Sequence, residues 1–191
     1  SPSGRTPDTF MYDMTAAPWW NNGEKRDYSN LADLAVEGMN AGTPQIYAPS
    51  FTNYVEGIYV GYRFYETAAE EGILDYDKAV QYPFGYGLSY TTFEQKMGEL
   101  KEQDGELSVD VTVTNTGNTA GKDVVELYYH PPYTNGGIEK ASVNLADFAK
   151  TDLLEPGESQ TITVTVAIED MASYDYQKEK AYVLEEGEYL L

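Results

Sequence analysis

Strict alternation of apolar and polar residues in the second half of the chain is the feature that most constrains its fold. Between residues 107 and 114, every second residue is leucine or valine, and the residues between them are serine, aspartate or threonine. Residues 161–166 repeat the pattern with isoleucine and valine alternating with threonine. A period of two is typical of a β-strand with one buried face, because successive side chains point to opposite sides. Both stretches are therefore predicted to be half-buried strands.

Further short strands and turn sequences surround these two strands. Residues 124–129 form an apolar and aromatic run, residues 142–154 carry one or two short strands, and residues 181–184 and 189–191 predict a final strand pair. Asn115-Thr116-Gly117-Asn118 and Pro156-Gly157-Glu158 are turn sequences. About seven short strands at this spacing predict an antiparallel β-sandwich over residues 93–191. The residues expected to point into its core are Val109, Val111, Val113, Val125, Leu127, Ile162, Val164 and Val166.

The first half of the chain differs in character, and we predict a loop-rich arm over residues 1–92. Residues 1–55 are rich in Pro, Gly, Asn, Ser and Asp, so little regular structure is expected there. Residues 54–65 favour an extended segment, because they are mostly β-branched or aromatic. A short helix is predicted within residues 66–78. A glycine-punctuated aromatic loop follows over residues 82–91 and leads into the sandwich.

The chain is strongly acidic, with 32 Asp and Glu against 12 Lys and Arg and a formal net charge of −20. Such a charge repels a phosphate backbone or an anionic membrane surface, so we expect no nucleic-acid partner and no membrane partner. The sequence has no Cys and a single histidine, His130, which we expect at the surface. Disulfides, thiolate zinc sites and His-rich metal sites are thereby excluded. Because the acidic residues between 99 and 110 lack the spacing of a calcium loop, we predict no metal and no cofactor.

Several motifs of this chain occur together, and in the same order, in one known family. Residues 115–128, NTGNTAGKDVVELY, resemble the signature of the fibronectin type III-like domain of family 3 glycoside hydrolases. The other matching motifs are Pro2-Ser3-Gly4-Arg5, EGIYVGYR at 56–63, YPFGYGLSY at 82–90, Pro156-Gly157-Glu158-Ser159 and Glu186-Gly187-Glu188-Tyr189. The chain thus resembles the C-terminal part of a β-glucosidase-like enzyme of this family, and the resemblance runs nearly end to end.

The resemblance implies a mostly β fold with two parts. A fibronectin-III/immunoglobulin-like antiparallel β-sandwich is expected over residues 93–191. The loop-rich arm before it, residues 1–92, is expected to be the tail of an α/β-sandwich domain with a linker. The family also implies partners for these two parts: the catalytic domains of the same polypeptide and a β-linked glycoside substrate.

Catalysis in this family depends on residues that the sequence does not offer. Its members hydrolyse β-linked glycosides with retention, using an Asp nucleophile on a TIM-type barrel and a Glu acid/base on the α/β-sandwich domain. Retention requires these two carboxyl groups about 5 Å apart. The nucleophile motif has no counterpart here, and the acid/base normally precedes the matching segment. We therefore expect a non-catalytic portion that braces the catalytic domains, completes the sugar pocket and is inactive alone, within a parent enzyme that hydrolyses glycosides.

Three residues are candidates for a place near the sugar in the parent enzyme: Glu56, Arg63 and Tyr86. Glu56 and Arg63 flank a glycine-containing aromatic segment and could orient a sugar or a catalytic loop. An ion pair, or a hydrogen-bonded brace between domains, is the more ordinary role for such charges. Tyr86 and the other aromatic residues of loop 82–91 could stack on a sugar. The alternative is that they pack the linker against the sandwich.

Two broader alternatives remain open. A stand-alone carbohydrate-binding or adhesion module could use the same β-sandwich, since a fold does not determine a function. The long loop-rich arm favours an enzyme portion, and an adjoining barrel with an Asp nucleophile in the same reading frame would decide between them. Phe10, Trp19 and Trp20 are large apolar residues that need a partner surface, so a homodimer of the chain is a further prediction. None of these features assigns a compartment.

Overall fold

The computed structural model of the chain describes residues 4–22, 26–40 and 42–191. These residues divide into two compact units, one of residues 4–12 and 58–191 and one of residues 13–57. Within the described residues, no helix is long and apolar enough to cross a membrane.

The elements are short outside the sandwich and longer within it. In chain order the strands are β1 (Phe10–Met11), β2 (Arg26–Asp27), β3 (Val36–Asn40), β4 (Thr43–Tyr47), β5 (Ser50–Phe51), β6 (Val80–Tyr82), β7 (Phe93–Gln103), β8 (Glu106–Asn115), β9 (Val124–Tyr129), β10 (Asn144–Lys150), β11 (Ser159–Ala167), β12 (Ser173–Asp175) and β13 (Ala181–Val183). The helices are α1 (Leu31–Leu34), α2 (Tyr62–Glu70) and α3 (Tyr76–Ala79), with single-turn 3-10 helices at Met14–Ala16 and Ile168–Met171.

Two antiparallel sheets form the sandwich. One has the strand order β11–β8–β7 and the other pairs β9 with β10. In the first sheet, Val109 lies opposite Val164, and Val111 lies opposite Ile162. Cross-strand neighbours share a face, so the apolar residues of both alternating strands cover the same side of the sheet. That side packs against β9 and forms the core.

The core contains all eight residues that were expected to point into it, and Leu107 packs against it partly buried. The buried predicted residues are Val109, Val111, Val113, Val125, Leu127, Ile162, Val164 and Val166, joined by Leu154 and Met171. Val113 and Val164 have no exposed surface at all. The predicted antiparallel sandwich is therefore confirmed, together with the mostly β fold class.

The structure corrects the prediction of an extended segment at residues 54–65. The last residues of this segment form the first turn of α2, which begins at Tyr62 after Gly61, a residue with a φ of 60°. Instead of one helix within residues 66–78, the structure has α2 and the shorter α3. Tyr65 and Ala68 are buried in α2, so burial of the helix outweighs the strand preference of the aromatic residues.

The structure also corrects the predicted final strand pair, residues 181–184 with 189–191. Strand β13 pairs with β12 and not with residues 189–191, and Leu190 instead forms a bridge with His130. The turn between β12 and β13 is built by the Asp175 carboxylate, which accepts hydrogen bonds from the amides of Gln177 and Lys178. Strand β12 is too short and too polar for an alternating pattern to reveal it.

The smaller unit contains more regular structure than its composition indicates. Strands β3 and β4 form an antiparallel hairpin, with Val36 opposite Tyr47, and β2 pairs with β5. These four strands therefore lie within residues 1–55, where little regular structure is expected from the composition. Asp13 caps the 3-10 helix Met14–Ala16 by accepting a hydrogen bond from the amide of Thr15 at 2.8 Å.

Candidate functional site

A cavity of about 430 Å³ lies where α2 and the aromatic loop 82–91 cover one face of strand β9. Its walls include Arg5, Tyr62, Glu66, Phe84, Tyr86, Glu126 and Tyr128. Strand β9 turns Val125 and Leu127 into the core. Because side chains alternate along a strand, Glu126 and Tyr128 point to the opposite face and into the cavity.

Helix α2 is held on the sandwich by an aromatic cluster and two hydrogen bonds. The Tyr62 ring lies 5.1 Å from the Phe84 ring and 5.9 Å from the Tyr128 ring. The Tyr62 hydroxyl accepts a hydrogen bond from the amide of Leu145 in β10 at 2.7 Å. The Thr67 hydroxyl accepts another from the amide before β10, at residue 142. Phe84 thus packs the aromatic loop against helix α2.

Tyr86 is the aromatic residue of the loop that lines the cavity while remaining open to solvent. Its side chain is 45% exposed, and its ring lies 5.1 Å from that of Tyr82. Gly85 before it has a φ of 72°, and a β-carbon there would lie 2.5 Å from a carboxylate oxygen of Glu126. The positive φ favours glycine here, whereas the flexible end of the Glu126 side chain could move away from a β-carbon. Tyr90, at 88% exposure, extends into solvent.

Two carboxylates of the cavity are hydrogen-bonded to tyrosine hydroxyls. Tyr128 donates to Glu126 at 3.0 Å, and Tyr76 donates to Glu66 at 2.6 Å. Burial raises the pKa of Tyr128, and the charge of Glu126 raises it further. Burial also raises the pKa of Tyr76, with the hydrogen bond to Glu66 as the second cause. Both phenols therefore stay neutral donors at physiological pH, and the cavity offers carboxylate acceptors beside aromatic faces.

The other two predicted site residues lie elsewhere. Arg63 is half-buried on α2, with its guanidinium carbon 6.0 Å from the Tyr62 ring centre. Its Nε is buried without a hydrogen-bond partner among the described residues. Glu56 belongs to the smaller unit, in the segment after β5, and is partly buried. Tyr86 is thus the predicted residue that lines this cavity.

A second cavity, of about 520 Å³, lies beside α2 and the loop after β9. His130 lines it and is partly exposed, with its Nδ1 3.8 Å from a carboxylate oxygen of Glu70. Tyr59 donates a 2.6 Å hydrogen bond to Glu139 nearby. Across residues 4–22, 26–40 and 42–191, no three His, Asp or Glu side chains come together in the arrangement of a metal site.

The sequence did not identify Tyr62, Glu66, Glu126 or Tyr128 as part of a site. A signal exists for the last two, because they occupy the outward positions of strand β9, where a tyrosine needs cover. Tyr62 and Glu66 are four residues apart and share one face of α2. That spacing is informative only if the segment is helical, and its composition predicts a strand.

Comparison with known proteins identifies relatives over the whole chain. A family model named Fn3-like, the fibronectin type III-like domain, matches residues 123–191. β-Glucosidase A of Butyrivibrio fibrisolvens is 44% identical over 207 aligned positions, which cover 99% of this chain and 21% of that relative.

Solved structures give the same result. The structure of a β-glucosidase from Paenibacillus barengoltzii matches with a TM-score of 0.74 and 38% identity, covering 98% of this chain and 18% of that one. β-Glucosidase 3B of Thermotoga neapolitana, solved in complex with α-D-glucose, matches with a TM-score of 0.71 and 34% identity, covering 98% and 22%. The chain therefore spans about a fifth of the length of these relatives.

Proposed function

Because this chain is the C-terminal part of a family 3 glycoside hydrolase, with that family's fibronectin type III-like domain, we propose that it braces the enzyme's catalytic domains. In this proposal the chain carries no catalytic residue, and it completes the sugar pocket from one side. Residues 1–92 are the tail of the α/β-sandwich domain with its linker, and residues 93–191 are the brace. The parent enzyme hydrolyses β-linked glycosides.

One observation carries this proposal: Phe84 packs the aromatic loop 82–91 against Tyr62 of α2, which is hydrogen-bonded to β10, and the loop leaves Tyr86 open to solvent at a cavity. A rigid sandwich that presents an exposed aromatic ring fits a bracing element that also contacts a ligand. The cavity's carboxylates accept hydrogen bonds and its rings offer apolar faces, which together suit a neutral, hydroxyl-rich molecule. The negative charge of the chain does not oppose the binding of such molecules, because neutral sugars carry no charge for it to repel.

The test compares three proteins with a chromogenic β-glucoside: the full-length parent, a parent lacking residues 93–191, and the present chain. We expect turnover by the parent and none by the chain. Retaining hydrolysis needs an acid and a nucleophile on opposite sides of one bond, and acid–base assistance alone contributes roughly 10² to 10⁴ in rate. The truncated parent should unfold at a lower temperature.

Each outcome decides one part of the proposal. Turnover by the chain above a buffer blank would contradict its non-catalytic role, and an inert parent would contradict the proposed activity. A truncated parent of unchanged stability would contradict the bracing role. Tight binding of a glycoside by the isolated chain would instead support the alternative of a stand-alone carbohydrate-binding module.

We also propose that Glu56, Arg63 and Tyr86 lie near the substrate in the parent. Replacing Tyr86 by Ala should raise KM by roughly five- to tenfold, the range expected for one aromatic contact, while Tyr90→Ala serves as the exposed control. Glu56→Gln and Arg63→Met should lower kcat/KM without lowering the unfolding temperature. A fall in stability with unchanged kinetics would assign those two residues to a structural role.

A homodimer of the chain is the last part of the proposal. Phe10 is 48% exposed, Trp19 42% and Trp20 44%, which leaves three large apolar side chains available for a second copy. Light scattering of the purified chain should give twice the monomer mass, and the Trp19→Ser variant should shift it towards the monomer. A monomeric wild-type chain would exclude the homodimer.

A further inference from the structure

Arg5 makes a forked contact that joins two distant parts of the chain. One of its terminal nitrogens donates to the carbonyl of Gly85 at 2.6 Å, and the other donates to the carboxylate of Asp123 at 2.6 Å. The second nitrogen also lies 3.4 Å from the carbonyl of Val124. A planar guanidinium can serve several acceptors at fixed angles, which the point charge of a lysine cannot do. Arg5 thus links the aromatic loop to the start of strand β9.

Asp123 is suited to hold this contact because it is buried and all its polar groups are hydrogen-bonded. Its side chain is 9% exposed, and its second carboxylate oxygen accepts a hydrogen bond from Gln95 at 2.8 Å. Its backbone amide and carbonyl are both bonded to Thr151. A buried carboxylate needs a donor on each oxygen, and a charged donor makes the stronger bond. Arg5 supplies that charged donor.

Thr6 fixes the other side of the same loop. It is buried, and its hydroxyl donates to the carbonyl of Pro83 at 2.6 Å and accepts from the amide of Tyr86 at 3.1 Å. Its carbonyl accepts from the amide of Gly85 at 2.9 Å. The loop backbone from Pro83 to Tyr86 therefore has four hydrogen bonds to two residues that lie about 80 positions earlier in the sequence.

We propose that Arg5 is a positioning residue for Tyr86: with Asp123 it forms a latch that holds the aromatic loop at the edge of the 430 Å³ cavity. The latch itself is independent of catalysis, and only its consequence for a sugar rests on the proposed function. The core of the sandwich contains no residue of loop 82–91. Opening the latch should therefore release the loop locally while the sandwich stays folded.

Amide hydrogen exchange, followed by NMR on the present chain, tests the latch. The variants are Arg5→Ala, Arg5→Lys and Asp123→Asn. The matched control is Lys101→Ala, which removes a 2.7 Å surface pair with Asp110 on the far sheet. We expect exchange at Gly85 and Tyr86 to accelerate at least about tenfold in Arg5→Ala and Asp123→Asn, with only partial recovery in Arg5→Lys. Core amides such as that of Val164 should keep their wild-type rates, as should Gly85 and Tyr86 in the control.

Wild-type exchange at Gly85 and Tyr86 in Arg5→Ala would overturn the latch. Equal acceleration of the core amides would overturn it too, because the contact would then support the whole fold. If Arg5→Ala does not fold, Arg5→Lys carries the test, because a lysine keeps the charge but cannot serve both Gly85 and Asp123, so exchange at Gly85 and Tyr86 must still accelerate. In the full-length parent, Arg5→Ala should raise KM as Tyr86→Ala does. Accelerated exchange with an unchanged KM would keep the latch and remove Tyr86 from the proposed sugar contact.

Discussion

Asn115 shows how much one side chain can contribute to this sandwich. It ends strand β8 with no exposed surface. Its amide nitrogen donates to the carbonyls of Thr119 and Leu154, both at 2.8 Å. Its amide oxygen accepts from the hydroxyl of Thr91 at 2.7 Å and from the backbone of Gly117 at 3.1 Å. Both donors and both acceptor positions of the amide are thus used, which fixes the turn after β8.

Replacing Asn115 by Ala should lower the free energy of unfolding by about 2–4 kcal/mol, because the change removes all four hydrogen bonds that this buried amide makes. Urea unfolding at pH 7 gives the value. Asn118→Ala, in the same turn but exposed, is the control and should stay within about 0.5 kcal/mol of the wild type. A loss of under about 1 kcal/mol in Asn115→Ala would show that the network tolerates the missing amide.

The sequence predicts Asn115 as a turn residue and no more. Two of the groups that hold it, the Thr91 hydroxyl and the Leu154 carbonyl, lie 24 and 39 residues away. Local patterns carry no information on such partners. For the same reason, the sequence predicts only part of the cavity. Tyr86 stands out as one aromatic residue of a glycine-rich loop, whereas Glu126 and Tyr128 line the cavity only because α2 covers them.

At the scale of elements, the alternating strands β8 and β11 follow from the sequence, and the first turn of helix α2 does not. In β8 and β11 the local preference of Val and Thr agrees with the face that tertiary structure buries, so pattern and structure coincide. In α2 the two disagree, because residues 62–65 are Tyr, Arg, Phe and Tyr, which favour strands when taken alone. The contacts of Tyr62 with Phe84 and with Leu145 stabilise the helix over a strand.

Removing the Tyr62 hydroxyl tests how far this docking stabilises α2. Tyr62→Phe keeps the ring beside Phe84 but leaves the Leu145 amide without its acceptor. The free energy of unfolding should fall by about 1 kcal/mol, and exchange at the Leu145 amide should accelerate. Tyr90→Phe, at an exposed hydroxyl, should change neither quantity. Unchanged exchange at Leu145 in Tyr62→Phe would contradict this account of the helix.

The turn between β12 and β13 should make stability depend on pH. Hydrogen bonds from backbone amides, first that of Lys178, hold the pKa of Asp175 below its ordinary value of 3.8. A lowered pKa stabilises the folded chain above 3.8, and this contribution is lost as pH falls through the folded-state value. Asp175→Asn should therefore lose less stability than the wild type between pH 5 and pH 3, measured by urea unfolding. The exposed Asp104→Asn variant is the control, and equal losses in all three proteins would exclude this role.

At the scale of the whole molecule, charge is the dominant feature. The chain has 32 acidic and 12 basic residues and a net charge of −20, so its excess carboxylates repel one another in the folded state. Raising NaCl from 10 mM to 500 mM at pH 7 should increase the unfolding temperature by about 2–5 °C, because salt screens this repulsion. Calorimetry gives the value. The increase should vanish near pH 4.1, where the sequence carries no net charge, and an equal increase there would exclude electrostatic screening as the cause.

Strand β8 pairs along its length with β11, so Thr114 lies beside Ser159, 45 residues later. The chain must close that long loop before the pairing stabilises anything, which slows folding to roughly milliseconds to seconds for folds of this kind. During synthesis, β8 leaves the ribosome well before β11 does. In that interval one edge of β8 has no neighbouring strand, and a nascent chain with such an unpaired edge is the form that a holding chaperone would protect from aggregation.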